Sequence, residues 1–158
     1  MPEVPSALNC TVPNFSAPAT SAKIFELASL RGKKLVIFFY PKDNTPGCTT
    51  ENIAFRDLYE KFRAVDVEVV GVSRDSIRSH EGFKAKLALP FDLISDPDET
   101  LCLLFNVMKM KNMYGKQVRG IERSTFVIDE KGSLVKEWRG VKVAGHVNEV
   151  LEFVSATA

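Results

Sequence analysis

Residues 33–40, KKLVIFFY, carry six apolar side chains in a row, Leu35, Val36, Ile37, Phe38, Phe39 and Tyr40. No other stretch constrains the fold as much. A strand with one wet face alternates polar and apolar residues, so an uninterrupted run of strand length belongs in a sheet covered on both sides. VEVVGVS at residues 67–73 reads the same way. Between them, after a short polar loop at 41–44, Phe55, Leu58, Tyr59 and Phe62 recur at helical spacing. Buried strand, helix and buried strand in succession predict an α/β chain.

The remaining elements fit that class. A helix is expected over 77–87 and a short strand over 91–94. Ser95-Asp96-Pro97-Asp98-Glu99 reads as a helix start with a cap, an early proline and acids on the dipole, the helix running to about residue 106. STFVID (124–129) and SLVKEWR (133–139), joined by Glu130-Lys131-Gly132, predict an antiparallel hairpin. A helix over 145–154 closes the chain. Pro2, Pro5, Pro13 and Pro18 assign residues 1–22 to edge strands and loops. The expectation is one domain over residues 1–158, a mixed central sheet flanked by helices on both faces.

Several function classes are disfavoured. A net charge of +1 gives no broad phosphate-binding surface, and no nucleic-acid partner is expected. The one basic stretch, Lys109, Lys111, Lys116 and Arg119 interrupted by Met108, Met110, Met113 and Tyr114, reads as a solvated loop. No apolar run approaches the roughly 20 residues of a membrane helix. The segment MPEVPSALNCTVPNF lacks the basic start and apolar block of a secretory signal, so the cytosol is the expected compartment.

Cys10, Cys48 and Cys102 are an odd, widely spaced set without a CxxC pair, a poor disulfide framework. With only His80 and His146 beside them, ligand spacing gives zinc no support, and neither metal nor cofactor is expected. Cys102 sits among Leu101, Leu103 and Leu104, where core packing explains it. Cys48 is different. In FFYPKDNTPGCTTE a buried strand runs out through Pro41 and a helix begins, with Thr45 as cap, Pro46 at the first helical position and Cys48 two residues on. The unpaired N–H groups and positive dipole end there favour an anion, and the thiolate is the nucleophile. For an ordinary thiol near pKa 8.5, ionisation at pH 7 raises the reactive fraction only about thirty-fold. Enzymes supply at least about a million-fold. Charge developing on the substrate must therefore also meet fixed donors: the Thr45 hydroxyl, the Cys48 N–H and a nearby cation. On these residues alone a functional thiol and a small packed cysteine stand side by side.

The run Pro41-x-x-x-Thr45-x-x-Cys48 resembles the active-site signature of the peroxiredoxins, and FYPKDNTPGCTTE resembles the bacterioferritin comigratory protein, or peroxiredoxin Q, branch. The SDPDETLC helix start, the KNMYGK stretch and GIERSTFVID are similar to that branch as well, so the likeness spans about residues 15–154. It implies a thioredoxin-like fold and reduction of hydrogen peroxide and organic hydroperoxides. Carried onto this chain, Cys48 is the peroxidatic nucleophile, Thr45 hydrogen-bonds the peroxide, and Pro41 shields the sulfur. Arg123 supplies the cation, and Glu51 is the carboxylate that orients it. Without the resemblance Pro41 is a strand stop, Thr45 a cap, Glu51 a first-turn acid and Arg123 a surface charge.

One departure matters. Many members of the branch carry a resolving cysteine five residues after the first, where this chain has Ile53. Others carry it on the following helix, and residues 80–89 contain none. The chemistry then implied is a one-cysteine cycle, in which the Cys48 sulfenic acid is resolved by an external thiol, glutathione with glutaredoxin or a thioredoxin-type protein. Cys10 remains an alternative resolver. A peroxide sensor or holdase would use the same oxidised Cys48, and a thiol–disulfide exchange enzyme is disfavoured by the missing CxxC. A monomer is expected from the branch. Phe39, Tyr40, Met113 and Tyr114 stand open between an apolar substrate mouth and core packing.

Overall fold

The computed structural model describes residues 10–156, so Pro2 and Pro5 lie outside the described residues. In chain order the elements are β1 (Cys10–Thr11), β2 (Ser16–Ala19), β3 (Lys23–Glu26), a 3-10 turn (Leu27–Leu30), β4 (Lys34–Phe39), α1 (Pro46–Ala64), β5 (Val67–Ser73), α2 (Ile77–Leu87), β6 (Leu93–Ser95), α3 (Thr100–Leu104), β7 (Met108–Met113), β8 (Lys116–Ile121), β9 (Ser124–Ile128), β10 (Ser133–Arg139) and α4 (His146–Ala156). Eight strands form one sheet in the order β1-β10-β9-β4-β5-β6-β2-β3, and β7 and β8 form a separate pair. β4 runs parallel to β5 and antiparallel to β9, which makes the sheet mixed.

Alternation along the central strand explains the unbroken apolar run. Leu35, Ile37 and Phe39 pack into the core on one face of the sheet, with Val12, Phe15, Leu101, Cys102 and Phe105. Val36, Phe38 and Tyr40 pack into the core on the other face, with residues of α1, α2 and α4. A strand buried on both faces has no polar face to show. Phe38 stacks on Phe55 of α1 with ring centroids 4.3 Å apart, and burying each such ring is worth about 1.5–3 kcal/mol.

The buried stripe of α1 is Cys48, Glu51, Asn52, Phe55, Tyr59 and Phe62. Apart from the adjacent pair Glu51 and Asn52, successive positions lie three or four residues apart, the spacing of one helical face. The hydrophobic half of the stripe docks the helix on the sheet and thereby carries the polar half, Cys48 and Glu51, to the strand ends. Lys61 and Arg63 occupy the last turn, where cations complement the dipole. Among the described residues no helix is long and apolar enough to cross a membrane.

Two expectations are corrected. The chain around residues 108–121 is an antiparallel hairpin, with Met113 opposite Lys116 in register, and not a loop. The helix expected from Ser95 onwards spans only Thr100–Leu104, because Ser95 stays in β6 and the chain must turn first. Asp96 still caps that helix, accepting from the Leu101 and Cys102 N–H groups at 3.1 and 2.8 Å. Glu99 makes the turn in the left-handed region, at φ +62°.

Candidate active site

Thr45 precedes α1 with extended backbone, and Pro46 takes a first-turn position. The side chain of Thr45 does not cap the helix as expected. Its hydroxyl donates to the Lys42 carbonyl at 2.7 Å, closing the loop that follows β4. The first N–H groups of α1 therefore stand beside the cysteine without a side-chain cap. Pro41 and Thr45 are both half-buried, at either end of this loop.

The sulfur of Cys48 is almost enclosed, with the residue 1% exposed. Arg123, in the turn between β8 and β9, points Nη2 at Sγ from 3.4 Å. Its Nη1 donates to Glu51 Oε1 at 2.7 Å. Cys48, Glu51 and Arg123 thus meet although the arginine lies 75 residues from the cysteine in sequence. The guanidinium favours negative charge on the sulfur and on any oxygen bound beside it. Gly47 makes room for this: a Cβ there would lie 3.1 Å from Arg123 Nη2.

Glu51 is fully buried, and burial pushes its carboxyl up to about 7 against the opposing pull of Arg123. Its second oxygen has no hydrogen-bond partner among the described residues. Burial pulls the Arg123 guanidinium down, but Glu51 and Cys48 outweigh it and the net shift is upward. Asn52 donates to the Cys48 carbonyl at 2.9 Å and ties the first turn to the second.

The loop carrying Pro41 and Thr45 is anchored from below. Tyr40 and Ser79 hydroxyls donate to Asp43 at 2.7 and 2.8 Å, and His80 Nδ1 lies 2.8 Å from the same carboxylate. Burial raises the Asp43 carboxyl, yet these donors, His80 foremost, bring it below the usual range. Asp43, Asp75 and His80 bring ligand-type atoms within 4.8 Å of one another. Those atoms are already engaged: His80 Nε2 meets the Ile94 carbonyl at 2.9 Å, and Asp75 accepts from Ser73 and from the Asp43 N–H. The cluster is a hydrogen-bond network holding the loop.

The other two cysteines pack elsewhere. Cys102 belongs to the core on the sheet face opposite Cys48, and Cys10 packs against that same core. Burial, with the Asp96 carboxylate adding, holds the Cys102 thiol far above the ordinary thiol range. Phe39 and Tyr40 are buried on opposite faces, while Met113 and Tyr114 are exposed, so the four form no shared mouth. A cavity of about 400 Å³ lies between β3, α1 and β5 and is lined by residues such as Phe25, Tyr59, Arg63 and Phe91, none of them in the cysteine cluster. Sequence reasoning missed Lys111, whose ammonium reaches the Ile121 carbonyl beside the arginine turn. The alternation MKMKNM before Tyr-Gly is the signal that places it on a strand.

The AhpC/TSA family model matches residues 8–137. The chain belongs to the AhpC/TSA family. Within it, the similarity is to the Bcp, or peroxiredoxin Q, branch. Peroxiredoxin Bcp of Xanthomonas campestris pv. campestris is 55% identical over 127 residues, covering 80% of this chain and 79% of that protein. Peroxiredoxin Bcp of Bacillus subtilis is 47% identical over 140 residues, 89% of each chain. Xylella fastidiosa PrxQ superimposes with a TM-score of 0.91 at 42% identity over 96% of both chains. The X. campestris bacterioferritin comigratory protein, studied for alkyl peroxide reduction, gives 0.86 at 48% identity, covering 90% of this chain and 91% of that one. The fold is thus the thioredoxin-like peroxiredoxin fold, as the signature implied.

Proposed function

We propose that this peroxiredoxin reduces hydrogen peroxide and organic hydroperoxides through Cys48 in a one-cysteine cycle completed by an external thiol. The observation that carries the reading is Arg123 Nη2 at 3.4 Å from Cys48 Sγ, with Cys10 and Cys102 packed with the core beyond the sheet. In the first step the Cys48 thiolate attacks the terminal peroxide oxygen. An S–O bond forms, the O–O bond breaks, and the leaving alkoxide or hydroxide takes a proton to depart as alcohol or water. Cys48 is left as a sulfenic acid. Arg123 and the free N–H groups of α1 stabilise the charge on the departing oxygen.

Each remaining residue has a role in that step. Thr45 holds the peroxide through its hydroxyl, which at rest is turned to Lys42. Pro41 excludes water from the sulfur. Glu51 orients Arg123 through the 2.7 Å ion pair. Position 53 is isoleucine and residues 80–89 contain no cysteine, which supports resolution from outside. An external thiol attacks the sulfenic sulfur, water leaves, and a second thiol releases Cys48 from the mixed disulfide. Glutathione with glutaredoxin, or a thioredoxin-type protein, supplies these thiols. The whole chain acts as one domain, a monomer of the cytosol.

A peroxide sensor or holdase shares the first step and differs in stopping there. Stopped-flow peroxide consumption by wild type and Cys48→Ser, each with glutathione plus glutaredoxin or with thioredoxin, separates the two. Sustained turnover lost in Cys48→Ser is the expected result. Consumption that stalls after one equivalent with every reductant would support the sensor and overturn the enzyme cycle.

A further inference from the structure

We propose that the basic face of the β7–β8 hairpin, formed by Lys109, Lys111 and Lys116, is the docking site for a small thiol that carries carboxylates and resolves oxidised Cys48. The proposal rests on the one-cysteine reading above and names the partner of that site.

Strand alternation defines the face. Lys109, Lys111 and Met113 point to one side of β7, and their register partners Gly120, Val118 and Lys116 point to the same side of β8. That side adjoins the cysteine. Lys111 donates to the Ile121 carbonyl, two residues before Arg123. Its side chain also passes over Gly120, where a Cβ would meet Lys111 Cδ at 3.9 Å and Arg74 Nη2 at 4.0 Å. Burial holds the Lys111 ammonium below the ordinary lysine range, Arg123 adds to this, and Cys48 opposes it. The three groups are therefore within electrostatic reach of one another.

The charge on this face is only partly offset, by Glu122 acting on Lys111. Among the described residues Lys109, Lys111 and Lys116 form no ion pair, whereas the neighbouring Arg74 and Arg119 share Glu99. Such a row draws anions towards the sulfur and raises their association rate. Side chains two apart on a strand stand about 7 Å from each other, a span suited to two carboxylates on one small molecule. Half-exposed Met113 and the partly exposed Val118 lie between the lysines and offer an apolar bed for its stem. Cys48 is 1% exposed, which favours a small thiol over a thiol held in a protein loop.

The docked thiolate attacks Cys48 Sγ of the sulfenic acid, the S–S bond forms as the S–O bond breaks, and the hydroxide leaves as water with one proton. Cys48 is reduced and the incoming sulfur oxidised; a second such thiol then frees Cys48 and departs as a disulfide.

The test uses the full chain, oxidised with one equivalent of hydrogen peroxide and then mixed with thiol in a stopped-flow instrument. Glutathione is the carboxylate-bearing probe and 2-mercaptoethanol, which has no carboxylate, the reference. The paired substitution Lys109→Gln with Lys116→Gln should slow the glutathione reaction about tenfold, as should raising the salt on wild type, while 2-mercaptoethanol keeps its rate. Lys109→Arg with Lys116→Arg should restore the glutathione rate. Glutathione rates indifferent to both lysines and salt, with both thiols still reacting, would overturn the docking site and leave the one-cysteine cycle standing. An internal disulfide seen by intact mass, with neither thiol reacting, would sink that cycle and the proposal with it. With an acidic thioredoxin-type protein as a third reductant, a loss confined to that arm would overturn the small-thiol partner.

Discussion

Replacing Glu51 by glutamine removes one buried ionisable carboxyl and keeps its shape. In the folded chain burial raises this group from 4.5 to about 7, against the pull of Arg123. At about 1.4 kcal/mol per tenfold change in proton affinity, that difference amounts to about 3 kcal/mol. The folded state holds the proton more tightly than the unfolded state. The contribution is therefore fully present below pH about 4.5 and is lost as pH rises through about 7. Wild type should lose about 3 kcal/mol relative to Glu51→Gln between pH 4.5 and 8, about 6–12 °C in Tm for a domain of this size. Urea unfolding of both proteins across that range reads the difference, and other titrating groups cancel between them. Parallel stability curves would refute the reasoning and show that the ion pair with Arg123 fully offsets the cost of burial.

Two further outcomes follow from the same packing. Gly47→Ala should raise helix stability by up to about 1 kcal/mol, yet slow peroxide oxidation of Cys48 several-fold, because the new methyl pushes Arg123 Nη2 from its present 3.1 Å clearance. Stopped-flow oxidation and urea unfolding together check it, and an unchanged oxidation rate would refute it. Cys102→Ala should lower stability by about 1–3 kcal/mol and leave catalytic turnover intact, since Cys102 is fully buried in the far core; loss of turnover in a folded variant would make Cys102 a resolver.

Much of the frame was legible locally. The apolar runs at β4 and β5 and the periodic stripe of α1 are window-scale patterns, and α2 falls on the expected residues, Ile77–Leu87. The β7–β8 hairpin reads as a loop because its strands are largely exposed and bear charges, so the alternation of MKMKNM faces no core and is outweighed by the charge pattern. The sequence pattern starts α3 too early because pairing of β6 with β5, a contact between distant segments, keeps Ser95 in the strand. The local pattern makes Thr45 a cap of α1, but its hydroxyl donates to the Lys42 carbonyl, an option visible only once the loop is folded.

By itself the sequence determined the layered α/β frame and the position of Cys48 in the first turn of a helix, and its resemblance to a family signature implied the chemical kind of the neighbours. Those features rest on periodicity, caps and a short signature, all encoded within a few residues. Only the tertiary structure decided that Arg123 reaches Cys48 across 75 residues, that Glu51 is buried deeply enough to hold its proton near neutrality, and that Cys10 and Cys102 lie beyond the sheet from Cys48. Distances between remote segments, and the loss of water around a charge, are set by the packing of the whole chain. A local stretch of residues carries neither.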